Sequence, residues 1–265
     1  MTNIDGTRVF DEDALLYDLE RPSYPMELVS DVFSYSGLNE NSRILEIGCG
    51  TGQATRLFAE RGNPMLCLDP GPNLAGLARD RCSQYPNVRI ETVSFEDWKL
   101  EQGAFDMVMS ATAFHWIKPE VGLPKCAKAL REAGVIALFW NKHPGPYSAV
   151  FEEISQQYEV YVPQMARSKD GSDHKNCFEQ WIQSYRQRID ETGLYQEVVS
   201  KRYPWSLRYS KEHYLGLMDT YSDHRSLPPV TKNYLYDAIA DVIERNGGTV
   251  TKEYVAVLFL ARKRS

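Results

Sequence analysis

The sequence predicts an α/β fold in which a largely parallel sheet carries helices on both faces. Between Arg43 and Asn141, short apolar segments alternate with amphipathic helical segments. The apolar segments are almost continuously hydrophobic, as is typical of parallel strands that are buried on both faces. A glycine-rich turn follows the first strand, which is where doubly wound sheets bind ligands, at the carboxyl ends of their strands.

The first half of the chain supplies five of the predicted strands and three predicted helices. The strands are expected at residues 43–47, 65–68, 88–93, 105–109 and 135–140. Apolar stripes at helical spacing predict helices over residues 54–58 and 74–81, and a third helix from Pro119 to Gly134. Pro72 opens the second of these helices, because proline fits the first turn of a helix.

The second half of the chain is richer in helices. They are predicted at residues 147–161, 177–192, 211–221 and 231–246, with a polar loop at 168–173 after the first. Strands are predicted near residues 197–209 and 254–261. We expect these two strands to complete a seven-stranded, Rossmann-like sheet, and the helices inserted between strands to form a cap.

Charge, cysteine usage and hydropathy narrow the class of protein. The formal net charge of −6 disfavours a long nucleic acid as a partner, because a negative surface repels a phosphate backbone. The five cysteines lie far apart without a CxxC pair, which favours reduced thiols and an intracellular protein. Neither a signal-peptide pattern nor an apolar run of membrane-spanning length is evident, so we expect a cytoplasmic location.

The segment that says most about function is Glu46–Gln53 (EIGCGTGQ), between the first strand and a helix. Its three alternating glycines allow a sharp turn and let a ligand lie against bare backbone, while the first amides of the helix provide donors. Nicotinamide and flavin enzymes use GxGxxG, which would require glycine where this chain has Gln53. Dinucleotide binding is therefore disfavoured.

A carboxylate at the end of the second strand fits the same kind of ligand. Asp69 can accept hydrogen bonds from both ribose hydroxyls of a nucleoside that lies across the strand ends. The alternative is that Asp69 caps the helix that begins at Pro72.

These residues resemble class I S-adenosylmethionine-dependent methyltransferases. Glu46–Gly52 matches their ExGxGxG signature, and Asp69 lies where their ribose-binding acid is found. Segments 93–98, 105–108 and 113–116 are similar to later parts of the family pattern. The N-terminal segment 17–25 is similar to the one that precedes the core in trans-aconitate methyltransferases.

The resemblance implies a set of cofactor-binding residues. Gly48 and Gly50 would bring backbone against the methionine part of S-adenosylmethionine, and Glu46 would orient its ammonium group, through water. The ribose would be bound by Asp69. The other residues implied are Tyr17 and Arg21 over the methionine tail, Gln53 at the start of the helix, Pro70 beside the adenine, and Ala111 with its backbone near the sulfonium.

The adenine contacts depart from the family pattern. Many relatives have Asp where this chain has Ser94, and that Asp receives the adenine amino group. The shorter, uncharged Ser94 suggests that the contact passes to the backbone of Phe95 or to Glu96.

The acceptor side offers one candidate catalytic residue. His115 follows the fourth strand, so it could accept a proton from a substrate hydroxyl or amine, or it could be a packing residue. The polar segment 221–225 is explained either by the end of a helix or by a substrate contact. The spacing of the histidines predicts no metal site, and Ser110 and Ser148 lie outside any nucleophile-elbow sequence.

Together, these observations predict an enzyme that moves a methyl group from S-adenosylmethionine to a small molecule. The resemblance suggests that this molecule is a carboxylate. The alternatives are a nicotinamide- or flavin-dependent oxidoreductase, and a cofactor-binding module without catalysis. We expect a monomer or homodimer that binds neither nucleic acid nor membrane. The expected parts are a lid segment (1–40), the cofactor-binding core (41–141), cap helices with the sixth strand (142–250) and the final core strand (251–265).

Overall fold

Seven strands form one sheet in the computed structural model, which describes residues 11–143, 148–166 and 171–264. The strands are β1 (Ile44–Ile47), β2 (Met65–Asp69), β3 (Val88–Thr92), β4 (Phe105–Ala111), β5 (Leu130–Lys142), β6 (Tyr195–Ser210) and β7 (Thr249–Lys263). Their order is β3-β2-β1-β4-β5-β7-β6. The first five strands are parallel, and β7 runs antiparallel to both β5 and β6. The expected α/β fold is confirmed.

Ten α-helices accompany the sheet within the described residues. They are α1 (Ala14–Glu20), α2 (Met26–Ser36), α3 (Gln53–Ala59), α4 (Pro72–Arg81), α5 (Pro119–Ala129), α6 (Ala149–Tyr161), α7 (Gly171–Glu191), α8 (Lys211–Asp219), α9 (Ser222–Arg225) and α10 (Pro229–Arg245). None of these helices is long and apolar enough to cross a membrane.

The strand order places a topological switch between β1 and β4. The connection after β1 leads outwards to β2 on one side, whereas β4 lies on the other side of β1. Loops therefore diverge at the carboxyl ends of these two strands and leave a crevice there, which is the usual ligand site of such sheets.

Alternating side chains of the strands build a hydrophobic core on each face of the sheet. Leu45 and Ile47 of β1 contribute to the face covered by α5 and α7, whereas Ile44 packs on the face covered by α2, α3 and α4. Because both faces are covered, the central strands carry apolar residues at most positions, and this is the pattern that identifies them in the sequence.

A third hydrophobic cluster defines the cap, which consists of α6, α8, α10 and the adjoining ends of β6 and β7. Phe151 of α6 and Leu217 of α8 are buried there, together with Val250 and Tyr254 of β7. The last two strands are longer than predicted, and their outer ends extend beyond the parallel sheet to form the base of the cap.

Helix α7 does not belong to the cap, which corrects the expectation that all inserted helices form it. Ile182, Tyr185 and Ile189 of α7 lie in the core against the sheet. The helix also begins at Gly171, earlier than predicted, so residues 171–173 of the predicted polar loop are helical. The earlier part of that loop, residues 168–170, lies outside the described residues.

The helix that was predicted to end at Gly134 ends at Ala129. Leu130 already pairs with Phe105 of β4, and the register shifts before the main ladder begins at Val135. Ala133 adopts a φ of 58°, a left-handed conformation that is incompatible with a continuing helix. The sequence pattern did not reveal that the helix ends at Ala129, because the irregular first part of β5 contains apolar and small residues that also fit a helix.

Candidate active site

A cavity of about 1300 Å³ lies at the carboxyl ends of β1–β4, beneath the cap. Pockets for a single small ligand typically span roughly 300–1,000 Å³, so this cavity has room for two ligands side by side. The predicted site residues that line it are Tyr17, Arg21, Gly48, Gly50, Asp69, Pro70, Ser94, Phe95, Glu96, Ala111 and His115. Glu46 and Gln53 do not line it.

The glycine turn after β1 forms one wall of the cavity. Gly48, Gly50 and Gly52 have φ angles of 69°, 56° and 85°, which favour glycine strongly. A Cβ atom at Gly48 would also overlap the side chain of Ala113. The turn therefore needs glycine both for its conformation and for the close approach of the neighbouring loop.

Asp69 connects this turn to the end of β2. Its Oδ2 accepts a hydrogen bond from the Gly50 amide at 2.8 Å, and its Oδ1 accepts one from the Gly71 amide at 2.9 Å. Burial raises the pKa of Asp69 to about 6, although both amide hydrogen bonds oppose that shift. Each oxygen keeps a second acceptor position, which the hydroxyls of a ribose could use.

Helix capping is carried out by another acid. Asp11 Oδ1 accepts hydrogen bonds from the amides of Asn73 and Leu74 at 2.7 and 2.9 Å, in the first turn of α4. Asp11, in the N-terminal segment, therefore satisfies the amides that Asp69 would otherwise have capped at the start of α4.

The N-terminal helix α1 closes one side of the cavity. The Arg21 guanidinium lies 5.0 Å from the centre of the Tyr17 ring and 4.7 Å from that of the Tyr221 ring, and it donates to the Thr220 carbonyl oxygen at 2.8 Å. Arg21 therefore bridges α1 and the cap.

Gln53 is the first residue of α3, as the resemblance implies, but it does not line the cavity. Its side-chain amide donates to the carbonyl oxygens of Asp18 and Arg21 at 3.2 and 3.0 Å. Gln53 thus fixes the end of α1 over the glycine turn and acts on the cavity through Tyr17 and Arg21.

Glu46 also lies behind the cavity wall. It is fully buried in β1, and its Oε2 accepts a hydrogen bond from the Thr55 hydroxyl at 2.6 Å. Burial raises the pKa of Glu46 to about 7. Glu46 therefore does not reach the cavity and cannot contact a ligand there directly.

The loop after β3 lines the end of the cavity next to Asp69. Ser94 donates from its hydroxyl to Asp97 Oδ2 at 2.7 Å, and the same Ser94 oxygen accepts from the Asp97 amide at 3.0 Å. Phe95 is buried and stacks with Trp98, which holds its backbone at the cavity edge. Glu96 accepts from the Lys118 amide at 3.3 Å.

The loop after β4 contains a strained residue that the sequence did not reveal. Thr112 follows Ala111 with a φ of 53°, which is uncommon for a β-branched residue. Its hydroxyl lies 2.7 Å from the Tyr24 hydroxyl, so the N-terminal segment stabilises this conformation. Such strain often marks a functional loop.

His115 lies in the same loop and faces the cavity. Its Nδ1 accepts a hydrogen bond from the Trp140 indole N–H at 3.2 Å. The indole nitrogen can only donate, so the neutral imidazole carries its proton on Nε2. Desolvation by the cavity walls, with the positive charges of Lys142 and Arg21, lowers the pKa of His115 to about 4, although the ring is open to the cavity. His115 is therefore a neutral hydrogen-bond donor at physiological pH.

The side of the cavity next to the cap contains further polar residues, of which Lys142 and Lys252 were not singled out from the sequence. Lys142 lies at the end of β5, with its ammonium 4.2 Å from the centre of the Trp181 ring, and desolvation lowers its pKa. Lys252 of β7 is buried among tyrosines. From the polar segment 221–225, Tyr221 and His224 line the cavity, and His224 Nε2 bonds to the Tyr158 hydroxyl at 2.7 Å.

Charged residues of both signs line the cavity. Asp69 ends β2 and Glu96 and Asp97 follow β3, whereas Lys142, Lys252 and Asp223 lie on the cap side. Within the part of the chain that the structure describes, no group of His, Cys, Asp or Glu could hold a metal ion.

The core of the chain matches known methyltransferases. Residues 44–134 match the family model described as a methyltransferase domain. An uncharacterized methyltransferase of Mycobacterium tuberculosis is 31% identical over 125 residues, which are 47% of this chain and 49% of that protein. An uncharacterized methyltransferase of Schizosaccharomyces pombe is 26% identical over 239 residues, 89% of this chain and 88% of that protein.

Two further similarities concern a named enzyme and a solved structure. The malonyl-(acyl-carrier protein) O-methyltransferase of Acetivibrio thermocellus is 32% identical over 128 residues, 46% of this chain and 43% of that protein. The chain thus spans about half the length of this protein and of the mycobacterial one. A putative type II methyltransferase of Anaeromyxobacter dehalogenans shares the fold with a TM-score of 0.61 and 17% identity, over 91% of this chain and 97% of that one.

Proposed function

We propose that this protein is an S-adenosylmethionine-dependent methyltransferase whose acceptor is a small molecule with a carboxylate. The observation that carries the first part is the buried carboxylate of Asp69 beside the glycine turn, within the segment that matches the methyltransferase domain. A sugar with two adjacent hydroxyls fits this acid, and the bare backbone of Gly48 and Gly50 fits a flat approach of the rest of the ligand.

The residues of the site would divide the cofactor among them. Asp69 would bind the ribose, and Ser94, Phe95 and Glu96 would border the adenine next to it. Tyr17 and Arg21 would cover the methionine part, with Gln53 holding both in place. When bound, S-adenosylmethionine supplies a methyl group that is already activated, so its C–S bond breaks as the acceptor atom attacks.

The protein then has to orient the acceptor and exclude water. A carboxylate acceptor would attack with an oxygen lone pair and form the C–O bond of a methyl ester, with S-adenosylhomocysteine as the other product. No proton would need to be removed. His115 fits this reaction as a donor, because its Nε2–H can bind the carboxylate oxygen that does not attack. A general-base role, which requires a free lone pair, does not fit the hydrogen bond from Trp140.

Two other features support an anionic oxygen as the nucleophile. Lys142 brings positive charge to the same part of the cavity as His115, and its charge is one of the causes of the lowered His115 pKa. One relative is, by its name, an O-methyltransferase that acts on a malonyl group.

Calorimetric titration tests the cofactor. We expect S-adenosylmethionine and S-adenosylhomocysteine to bind, and NAD, NADP and FAD to give no heat of binding. Binding of a nicotinamide or flavin cofactor in place of S-adenosylhomocysteine would contradict the proposal.

Methyl transfer to a panel of carboxylic acids tests the acceptor, with labelled methyl groups recovered as methanol after alkaline hydrolysis of the ester. His115→Ala should lower kcat/KM by about tenfold or more, the value of one hydrogen bond to a charged group, and His115→Gln should restore part of it. Between about pH 6 and 8 the wild-type rate should show no step due to His115, since its pKa is near 4. A step that disappears in His115→Gln would identify a base instead.

A further inference from the structure

Lys252 occupies an unusual environment in the wall of the cavity. Its side chain is 7% exposed, and it lies within 6 Å of three tyrosine rings: those of Tyr214, Tyr221 and Tyr254 at 5.8, 5.5 and 5.5 Å. The ammonium group donates to the Tyr221 hydroxyl at 3.3 Å. Among the described residues, no carboxylate forms an ion pair with it.

A buried ammonium group of this kind is costly unless it is compensated. The aromatic rings compensate part of the charge, because cations are attracted to the faces of tyrosine rings. A lysine has three donors, and Tyr221 accepts one of them. The carboxylates that line the cavity have other partners. Asp69 accepts from two backbone amides and Asp223 contacts His224, while Asp97 accepts from the Ser94 hydroxyl and Glu96 from the Lys118 amide. An anion that enters through the cavity is the natural partner for Lys252.

The strand register places Lys252 far along the sheet from Ala111, whose backbone would lie near the sulfonium in the proposed function. Ala111 pairs with Phe139 of β5, which pairs with Leu258 of β7. Lys252 precedes Leu258 by six residues, which corresponds to roughly 20 Å along an extended strand.

Aromatic and apolar side chains of the cap line the cavity beside Lys252. The ring of Phe151 lies 5.1 Å from that of His143 and 5.9 Å from that of Tyr214, which is next to Lys252. Ile154 and Met218 also line the cavity and belong to the same hydrophobic cluster as Phe151 and Tyr214. A ligand that reaches from His115 to Lys252 would therefore pass along apolar side chains.

From these observations, which rest on the proposed function for the cofactor and the reacting group, we infer that Lys252 binds a second anionic group of the acceptor. The acceptor is then an elongated organic acid: one carboxylate is methylated beside His115, an apolar middle lies against Phe151 and Met218, and a distal carboxylate pairs with Lys252. Tyr221 connects this site to the cofactor side, since its ring contacts Arg21 and its hydroxyl contacts Lys252.

Binding of simple dicarboxylates to the full-length protein tests the inference. The protein is saturated with S-adenosylhomocysteine and titrated by calorimetry with α,ω-dicarboxylates from succinate to sebacate, and with monocarboxylates of the same lengths. We expect the longer dicarboxylates to bind at least about tenfold more tightly than the matched monocarboxylates, as expected for a hydrogen bond between charged groups. Succinate, which is too short to span the apolar wall, should lack this advantage.

Lys252→Met removes the charge while keeping the length of the side chain. It should abolish the preference for dicarboxylates and leave the affinity for S-adenosylhomocysteine within about twofold, a range far below one hydrogen bond. Lys211→Met is the matched control, because it removes an equally positive residue that is 33% exposed and pairs with Glu244. Thermal unfolding of each variant reports whether it is folded.

The outcomes separate this inference from the proposed function. If S-adenosylhomocysteine does not bind, the proposed function fails first. If it binds but long dicarboxylates have no advantage over monocarboxylates, or if the advantage persists in Lys252→Met, the assignment of Lys252 is wrong while the methyltransferase proposal stands.

Discussion

The role of Asp69 gives the sharpest test of the site, through the variant Asp69→Asn. In the folded protein each carboxylate oxygen accepts one backbone amide, from Gly50 and Gly71. Asparagine has only one acceptor oxygen. Its amide nitrogen therefore faces the second backbone N–H, from which it cannot accept a hydrogen bond, and it cannot accept one from a ribose hydroxyl either. The variant therefore loses at least one charge-assisted hydrogen bond to the cofactor and weakens the anchoring of the glycine turn.

The expected magnitude follows from that count. A hydrogen bond to a charged group contributes about 1.5–3 kcal/mol, so the affinity for S-adenosylhomocysteine should fall by roughly tenfold to a hundredfold. Isothermal titration calorimetry measures this change directly, and it does not depend on knowledge of the acceptor.

Asp106→Asn is the matched control. Asp106 is as buried as Asp69, with 8% and 6% exposure, and it also accepts a backbone amide, that of Arg43, at 2.7 Å. It lies near the amino end of β4, however, at the opposite edge of the sheet from the cavity. The control should lose stability and keep its affinity for S-adenosylhomocysteine. Equal affinities in the wild type and Asp69→Asn, or equal losses in both variants, would refute the ribose-binding role.

Three further outcomes follow from the same geometry. The pKa of Asp69 is raised to about 6, and a ribose favours its ionised form, so wild-type affinity for S-adenosylhomocysteine should fall as the pH drops below about 6, whereas Asp69→Asn should lack this step in calorimetry. The pKa of Glu46 is raised to about 7 from an ordinary value of 4.5, so the folded state loses stability as the pH rises through this window. Glu46→Gln should remove this loss. In urea titrations, the free energy of unfolding of Glu46→Gln relative to the wild type should therefore rise by about 1–3 kcal/mol between about pH 5 and 8. Gln53→Ala removes the two hydrogen bonds that hold α1, so amides of residues 14–21 should exchange with deuterium several-fold faster, while Gln157→Ala, which loses only a contact within its own helix, should leave that rate unchanged.

Local sequence patterns were sufficient to predict the parallel half of the fold and the glycine turn and Asp69 that line one end of the cavity. The strands β1 and β2 are buried on both faces, so each appears in the sequence as a short, mainly apolar run. The glycine turn and Asp69 are adjacent to these strands along the chain, and the backbone conformation at Gly48 and Gly50 requires glycine. For these residues, the neighbours that decide their position are also their neighbours in sequence.

The acceptor side depended on contacts between residues far apart in the chain. The proton position on His115 is decided by Trp140, and the role of Gln53 is decided by α1; neither partner can be recognised from spacing alone. Lys252 did leave a signal in the sequence, because it lies two residues from Val250 and from Tyr254 and therefore on the same buried face of β7. Only the packed cap shows that this face lines a cavity. The sequence by itself determined the glycine turn and the position of Asp69 at the end of β2, since these depend on local backbone; which charges line the cavity was decided by tertiary structure, because burial and electrostatic environment arise only when distant segments pack together.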